Sequence, residues 1–242
     1  MDDGAAQAQV RVWTSGDYPV VARQLLAISV ETVEAIGIQP GDRVLDVGVG
    51  NGNAALEAAR RGGLVTGIDL TPAQIDRARI RALEEGLDLE LRVGDAEHLE
   101  VDDASFDVVL SVMGMIFAPD HVRALAEMVR ASRPGGTVAI TAWAEGGWSY
   151  RWRSRAAGLL PAAPPGSPMP DEWGDAEEVA RRFAAAGLEA TVETRPFAWR
   201  YPSEVEALDT FVTSAGPYVQ FMEAATRFGR GREAMDLSLI HI

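Results

Sequence analysis

Residues 44–53, Val44-Leu45-Asp46-Val47-Gly48-Val49-Gly50-Asn51-Gly52-Asn53, decide how this chain is read. A short apolar run with one acid inside it passes into a turn with glycine at every second position. Glycine lets a backbone bend sharply and come close to a ligand. The run predicts a buried strand, and residues 54–61 after it predict a helix. A strand, a glycine-rich turn and a helix can also be a plain tight connection, so the surroundings must decide what the turn serves.

Working outward, residues 64–68, 87–93, 106–112 and 137–143 predict four more strands. The stretch 106–112 is continuously apolar, as in a strand covered on both faces. Helices are predicted between them. Residues 18–36 carry Val21, Leu25, Ile28 and Val33 roughly on one face, with Gly37 as a stop. Thr71 as N-cap, Pro72 at the first helical position and Gln74 closing a capping box open the next helix, with Ile75, Ala78, Ala82 and Leu83 as its apolar stripe and Gly86 ending it. Val122, Leu125, Ala126 and Val129 mark another. Arg133-Pro134-Gly135-Gly136 reads as a turn into the fifth strand. This alternation implies an α/β fold, a doubly wound and mostly parallel sheet, with the ligand site at the carboxyl ends of the strands.

The character changes after Trp143. Residues 146–174 contain Pro161, Pro164, Pro165, Pro168 and Pro170 with Trp148 and Trp152, and read as an irregular lid. A helix is predicted at 175–186. Residues 188–201 look strand-like, with Phe197, Trp199 and Tyr201 alternating, and helices follow at 203–213 and 217–228. The organisation is therefore an N-terminal arm and helix (1–40), a ligand-binding core (41–145), a lid (146–174), a C-terminal part of the same domain (175–235) and a tail (236–242).

Composition narrows the function. The 242 residues include 22 arginines, no lysine and 36 acids, a formal charge of −14. That balance argues against nucleic acid or an anionic membrane as the main partner. Cysteine is absent, which removes disulfides, thiolate-bound zinc and a cysteine nucleophile. No His/carboxylate cluster has metal spacing. No stretch is long enough to span a bilayer and the first residues do not look like a signal peptide, so a cytoplasmic location is expected.

Three acids sit at consecutive strand ends. Asp46 lies two residues before the first glycine, where a carboxylate would repel a pyrophosphate but suit a cationic ligand end. Asp69 lies 17 residues past Gly52, the distance at which such folds bind ribose hydroxyls. Gly94-Asp95-Ala96-Glu97 offers a carboxylate and a backbone N–H for an adenine edge. Each acid alone reads as a cap or a solvated loop residue, but three in sequence make that reading improbable.

With these pieces together the sequence resembles the class I S-adenosylmethionine-dependent methyltransferases, and within them the ubiquinone/menaquinone-biosynthesis-type branch. The resemblance rests on residues 45–52, Gly67-Ile68-Asp69-Leu70-Thr71, Gly94-Asp95-Ala96-Glu97, Phe106-Asp107-Val108-Val109-Leu110-Ser111 and Arg133-Pro134-Gly135-Gly136, in that order. It covers residues 13–143. It implies a seven-stranded Rossmann-like sheet of order 3-2-1-4-5-7-6 with strand seven antiparallel, and S-adenosyl-L-methionine as cofactor. It further implies that Asp46 and the turn Gly48, Gly50, Asn51 and Gly52 hold the methionine part. Asp69 would bind both ribose hydroxyls and Leu70 would pack on adenine. Asp95, Ala96 and Glu97 would sit at the adenine edge, and Ser111 would face the sulfonium methyl or the cofactor amine. Residues 13–18 look like the family's opening segment, so Tyr18 and Trp13 are expected either to close over cofactor or substrate, or simply to pack an arm on the body.

The expected function is in-line methyl transfer to O, N or C of a small organic metabolite, run mainly by positioning. His121, just after strand four, reads either as a base at the substrate mouth or as a surface histidine at a helix N-terminus. His98 reads as structural or cofactor-adjacent. Met113, Trp143 and Trp148, with Trp13, are the substrate-side candidates. Trp152, Trp173, Arg151, Arg153 and Arg155 of the lid could receive an anionic organic molecule, or merely pack and be solvated. No Asn/Asp-Pro-Pro-Tyr/Phe motif follows strand four, which disfavours amino-methylation of nucleic-acid bases by that route. The alternatives are a cofactor-binding sensor or scaffold without turnover, and a nicotinamide oxidoreductase, the latter disfavoured by Asp46 and by Asn53 in place of a glycine. A monomer or homodimer is expected. Residues 237–242, which include His241, resemble translated adapter read-through. The chain is thus expected to be truncated near Met235, with strand seven missing and a sheet edge left open.

Overall fold

The computed structural model describes residues 3–161 and 169–240. The elements run α1 (Asp3–Thr14), α2 (Tyr18–Ile36), β1 (Arg43–Val47), α3 (Asn53–Arg60), β2 (Leu64–Asp69), α4 (Pro72–Glu85), β3 (Leu89–Val93), β4 (Phe106–Val112), α5 (His121–Ala131), β5 (Ser132–Thr141), α6 (Trp148–Ala156), α7 (Ala176–Ala185), α8 (Glu204–Ser214), α9 (Gly216–Arg227) and α10 (Gly231–Ile240). The five strands form one parallel sheet of order β3-β2-β1-β4-β5. The chain winds outward from β1 through β2 to β3, then crosses to β4 on the other side. The crevice where the winding reverses therefore opens at the carboxyl ends of β1 and β4.

Alternation within the strands builds two cores. Val44 of β1 and Val108 and Leu110 of β4 face a layer made with Val33, Ala54, Ala55, Ala58, Ile75 and Ala78. Leu45, Val47 and Val109 face the opposite layer, made with Ala124, Leu125 and Met128 of α5 and with Trp173 and Phe183. A strand buried on both faces needs apolar side chains at successive positions, which is why Val44-Leu45 and Val108-Val109-Leu110 read as unbroken runs. Asp46 is the exception within β1.

Several local expectations change. Thr71 makes no side-chain cap to the first turn of α4, and Gln74 reaches across to the Trp13 carbonyl (3.4 Å). Val122 stands 75% exposed; the buried face of α5 is His121, Ala124, Leu125, Met128 and Ala131. The chain before β1 also carries a helix, α1, not seen in the apolar pattern. Arg133–Gly136 is absorbed into the β4–β5 ladder as an irregularity between the Phe106–Ser132 and Val108–Thr137 pairs.

The larger corrections lie after β5. Part of the expected irregular lid is the regular helix α6, and Pro164, Pro165 and Pro168 fall outside the described residues. Residues 188–201 pair with no strand. Phe197, Trp199 and Tyr201 instead pack through their rings: Trp199 lies 5.8 Å from Trp143 and 5.2 Å from Phe211, and Tyr201 5.9 Å from Phe211. Aromatic alternation mimics a strand, but here the rings gain their burial against α8 rather than in a ladder. Among the described residues no antiparallel strand joins the sheet. Residues 231–240 form α10, whose Ala234 is buried with Trp152, Phe221 and Ala225. His241 lies outside the described residues. No helix among the described residues is long and apolar enough to cross a membrane.

The corrected face of α5 gives a direct test. Met128→Ala removes a fully buried side chain and is expected to cost about 2–5 kcal/mol. Val122→Ala should change stability by no more than about 0.5 kcal/mol. Urea denaturation of both variants measures the contrast, and equal losses would put Val122 back in the core.

Candidate active site

Glycine conformation shapes the turn after β1. Gly48, Gly50 and Gly52 have φ of +74°, +53° and +91°, values that side chains rarely adopt. Sterics add to this at Gly48, where a Cβ would lie 2.9 Å from the Cα of Gly114. Gly114 is equally confined, since a Cβ there would meet the Val47 carbonyl oxygen at 2.9 Å. The ends of β1 and β4 touch backbone to backbone. Just before, Met113 sits at φ +56°, a strained position for a residue with a side chain, and its N–H donates to Thr141 Oγ1 (3.1 Å).

Ser111 holds this junction. Its hydroxyl donates to the Val47 carbonyl and accepts from the Met115 N–H (2.8 Å), and the side chain is fully buried. It therefore joins strand ends, where the motif resemblance implied that it would face the sulfonium methyl or the cofactor amine.

Beside the junction lies a cleft that opens to solvent. Gly48, Gly50, Asp69, Leu70, Asp95, Ala96, Tyr18, Trp13 and Met113 line it, so nine of the expected residues are brought together. Asp69 is held from both sides: Oδ2 accepts from the Gly50 N–H and Oδ1 from the Thr71 N–H, each at 2.8 Å. Burial still pushes its carboxyl up from the usual range, against those two hydrogen bonds. Asp95 Oδ1 accepts from the Glu97 N–H (2.9 Å), which shapes the loop at the end of β3.

Asp46 lies beneath the glycine turn, 1% exposed, and its Oδ2 has no hydrogen-bond partner. Burial, then the Asp69 charge, push its carboxyl up to about 7, with a hydrogen bond from the Ala55 backbone opposing. Tyr18 is raised well above the ordinary phenol value by burial and by the same two acids. These carboxylates form a field that favours a cation. Among the described residues no arginine lines the cavity, although the chain carries 22 of them.

Other expected residues stand elsewhere. Glu97 is buried, and its Oε1 accepts from the Asp120 N–H (2.8 Å), so it braces the start of α5 rather than an adenine. Asn51 and Gly52 belong to the turn but not to the cavity wall: the Asn51 carbonyl accepts from Arg81 (2.8 Å), and a Cβ at Gly52 would lie 3.3 Å from Ala78. Trp143 and Trp148 pack into the aromatic group around Trp199 and Phe211, away from the cavity. His121 is neither a cavity base nor a surface residue. It is buried, and its ring nitrogens meet the Ile116 carbonyl (3.0 Å) and Arg182 Nη1 (3.0 Å).

The cavity also has walls that the motifs did not reveal. Gln9 of α1 donates to the Phe117 carbonyl (3.2 Å), and the Trp13 ring meets Phe117 edge-on at 4.7 Å. Helix α1 thus lies against the mouth. Its sequence carried no motif; the signal available was amphipathic, with Gln9 and Trp13 four residues apart on one face. Among the described residues no group of three or more His, Asp or Glu could hold a metal.

Comparison with known proteins agrees with this geometry. Residues 45–140 match a family model described as a methyltransferase domain. A protein of Mycobacterium tuberculosis, itself named only as uncharacterized, is 38% identical over 174 residues, covering 72% of this chain and 64% of its own length. The chain therefore spans just under two thirds of that relative. A demethylmenaquinone methyltransferase of a Mycobacterium species is 37% identical over 110 residues, 46% of this chain and 45% of that protein. The crystal structure of a SAM-dependent methyltransferase from Thermotoga maritima superposes with a TM-score of 0.53 at 23% identity, over 71% of this chain and 74% of that one. The sheet order and flanking helices are those of the Rossmann-like methyltransferase fold.

The buried Asp46 charge sets a pH test. Its folded-state value lies above the ordinary carboxylate value, so ionisation is harder in the folded protein. Stability lost for this reason accumulates as pH rises from about 4 to about 7 and stays lost above that. Asp46→Asn removes the term. Relative to wild type the variant should gain little at pH 4 and up to about 4 kcal/mol at pH 8, from roughly 1.4 kcal/mol per pH unit. Urea titrations at the two pH values measure the difference; a gain independent of pH would reject the assignment.

Proposed function

We propose that this chain is an S-adenosylmethionine-dependent methyltransferase that transfers a methyl group in line to O, N or C of a small organic metabolite. The observation that carries the reading is the cavity at the switch point, lined by Asp69 and Asp95 and, among the described residues, by no arginine. A dinucleotide would bring a pyrophosphate into that field and be repelled. A ligand with a cationic end and a nucleoside would be attracted.

The residues fit such a ligand. The unpartnered Asp46 Oδ2 is a buried acceptor awaiting a donor. A cationic amine reaching it, directly or through a water, would remove the cost of its burial. Asp69 has given one lone pair of each oxygen to the backbone and keeps the others for a vicinal diol. Leu70 and Ile68 offer an apolar surface for a base, and the Asp95-Ala96 loop lies where its edge would be read.

S-adenosylmethionine supplies a methyl group already activated by a positive sulfonium. What remains for the protein is to align the acceptor and exclude water. Trp13, Phe117, Met113 and Met115 supply that dry wall. The demethylmenaquinone methyltransferase among the relatives supports an acceptor in the quinone-biosynthesis-type branch.

Isothermal titration tests the reading. S-adenosylhomocysteine should bind and NAD should not. Asp69→Ala should weaken S-adenosylhomocysteine by about 100-fold or more, the worth of two hydrogen bonds to a charged group at about 1.5–3 kcal/mol each. Wild-type protein with no affinity for either S-adenosylmethionine or S-adenosylhomocysteine would end the proposal. Methyl transfer from labelled cofactor to a metabolite panel then separates an enzyme from a binding protein without turnover.

A further inference from the structure

The expected base, His121, has another place in the structure. Its ring joins two parts of the chain that are far apart in sequence. Nε2 meets the carbonyl of Ile116, in the turn Met115–Phe117 that follows β4. Nδ1 meets Nη1 of Arg182 on α7. Arginine has only donors, so Nδ1 accepts, and the proton sits on Nε2 and is donated to Ile116. The imidazole is thus neutral in one defined tautomer.

Both ends of this bridge matter. The turn Met115–Phe117 contributes Met115 and Phe117 to the cavity wall, and Phe117 carries the contacts to Gln9 and Trp13 of α1. The cap end is built from Glu172 and Trp173 in the short turn Pro170–Gly174, and from Arg182. Arg182 is ion-paired with Glu172 and with Glu178 (2.7 Å), and stacks over the Trp173 ring at 4.9 Å. Trp173 is buried in the same core as Met115 and Ile116, and its ring stands 5.6 Å from that of His121.

We propose that His121 is a positioning residue whose neutral ring clamps the cavity turn 115–117 to the cap 170–182, and that protonation of this ring releases the clamp. This rests in part on the reading above, because it says how one wall of that cavity is held in place. A proton on Nδ1 would face the Arg182 N–H across 3.0 Å, which removes the acceptor and sets like charges together. The groups around the ring oppose one another. Arg182 disfavours the imidazolium, while Glu172 Oε2, 3.6 Å from Nδ1, favours it. At the start of its own helix the charged neighbours in sequence are engaged elsewhere: Asp120 Oδ1 caps the Arg123 N–H (2.9 Å), and the Arg123 guanidinium is bound to the Glu97 carbonyl (2.7 Å). The turn 115–117 presents only the Ile116 carbonyl. Burial and Arg182 together hold His121 below the ordinary imidazole value, so release belongs to the acid side of that value.

His121→Gln separates titration from packing. An amide carries a donor nitrogen and an acceptor oxygen at its end, as the neutral ring carries one donor and one acceptor nitrogen, but it cannot take up a proton in this pH range. Amide hydrogen exchange, corrected for intrinsic rates, is followed for residues 113–118 and 170–182 at pH 7.5 and pH 5. In wild type, protection of both segments should fall together by about tenfold at pH 5. In His121→Gln it should be equal at the two pH values. Equal loss in wild type and His121→Gln, or no loss in wild type, overturns the proposal. Glu172→Gln, with the histidine intact, removes the carboxylate that favours the imidazolium and should move the release to lower pH; an unmoved midpoint also overturns it. S-adenosylhomocysteine affinity gives a second readout. Asp46 and Asp69 titrate alike in both proteins, so an acid loss larger in wild type than in His121→Gln supports the clamp, and equal losses count against it. If no protein binds the ligand while the exchange coupling persists, the cofactor reading fails and the clamp stands.

Discussion

The hydroxyl of Ser111 occupies the point on which the site depends. It bonds the end of β1 through the Val47 carbonyl and the start of the next turn through the Met115 N–H. Gly48 and Gly114 meet there with no room for a Cβ on either. Two parallel strands from different halves of a doubly wound sheet diverge at their carboxyl ends, and something must fix how far. Here a side-chain oxygen and two glycines fix it, so that the glycine turn and the 115–117 turn stand as facing walls of one cavity.

From that junction the electrostatics follow. The glycine turn covers Asp46 and points the Gly50 N–H at Asp69. Burying a carboxylate oxygen without a partner is costly, and Asp46 Oδ2 is left so. The cost makes sense as a site poised for a positive ligand group. The same logic fits arginines used in ion pairs away from the cavity, such as Arg60 with Glu85 and Arg130 with Glu127; among the described residues none lines the cavity wall.

Much of this was legible in the chain because it depends on neighbours in sequence. The five parallel strands, the turn glycines and the acids Asp46, Asp69 and Asp95 are set by apolar runs, by positive φ and by strand-end spacing. The contacts of Ser111, Glu97 and His121 were not legible, for a common reason. Each is a polar residue within or beside the motif, and its role depends on which distant backbone group it meets: the Val47 carbonyl, the Asp120 N–H and the Ile116 carbonyl. Trp143 and Trp148 were assigned to substrate for their aromatic character, whereas their rings are taken up by Trp199 and Phe211.

The sequence by itself determined the parallel α/β core and the acidic strand ends, because strand burial and glycine conformation are properties of short windows. It did not determine how residues 143–240 pack. There, aromatic alternation at 197–201 suits a strand as well as it suits a helix-covered coil, and only long-range burial separates the two. Tertiary structure alone decided that the N-terminal helix lies at the cavity mouth, that the sheet among the described residues stops at β5, and that His121 is a bridge. Each of these is a contact between segments distant along the chain, and the energy of such contacts has no local signature.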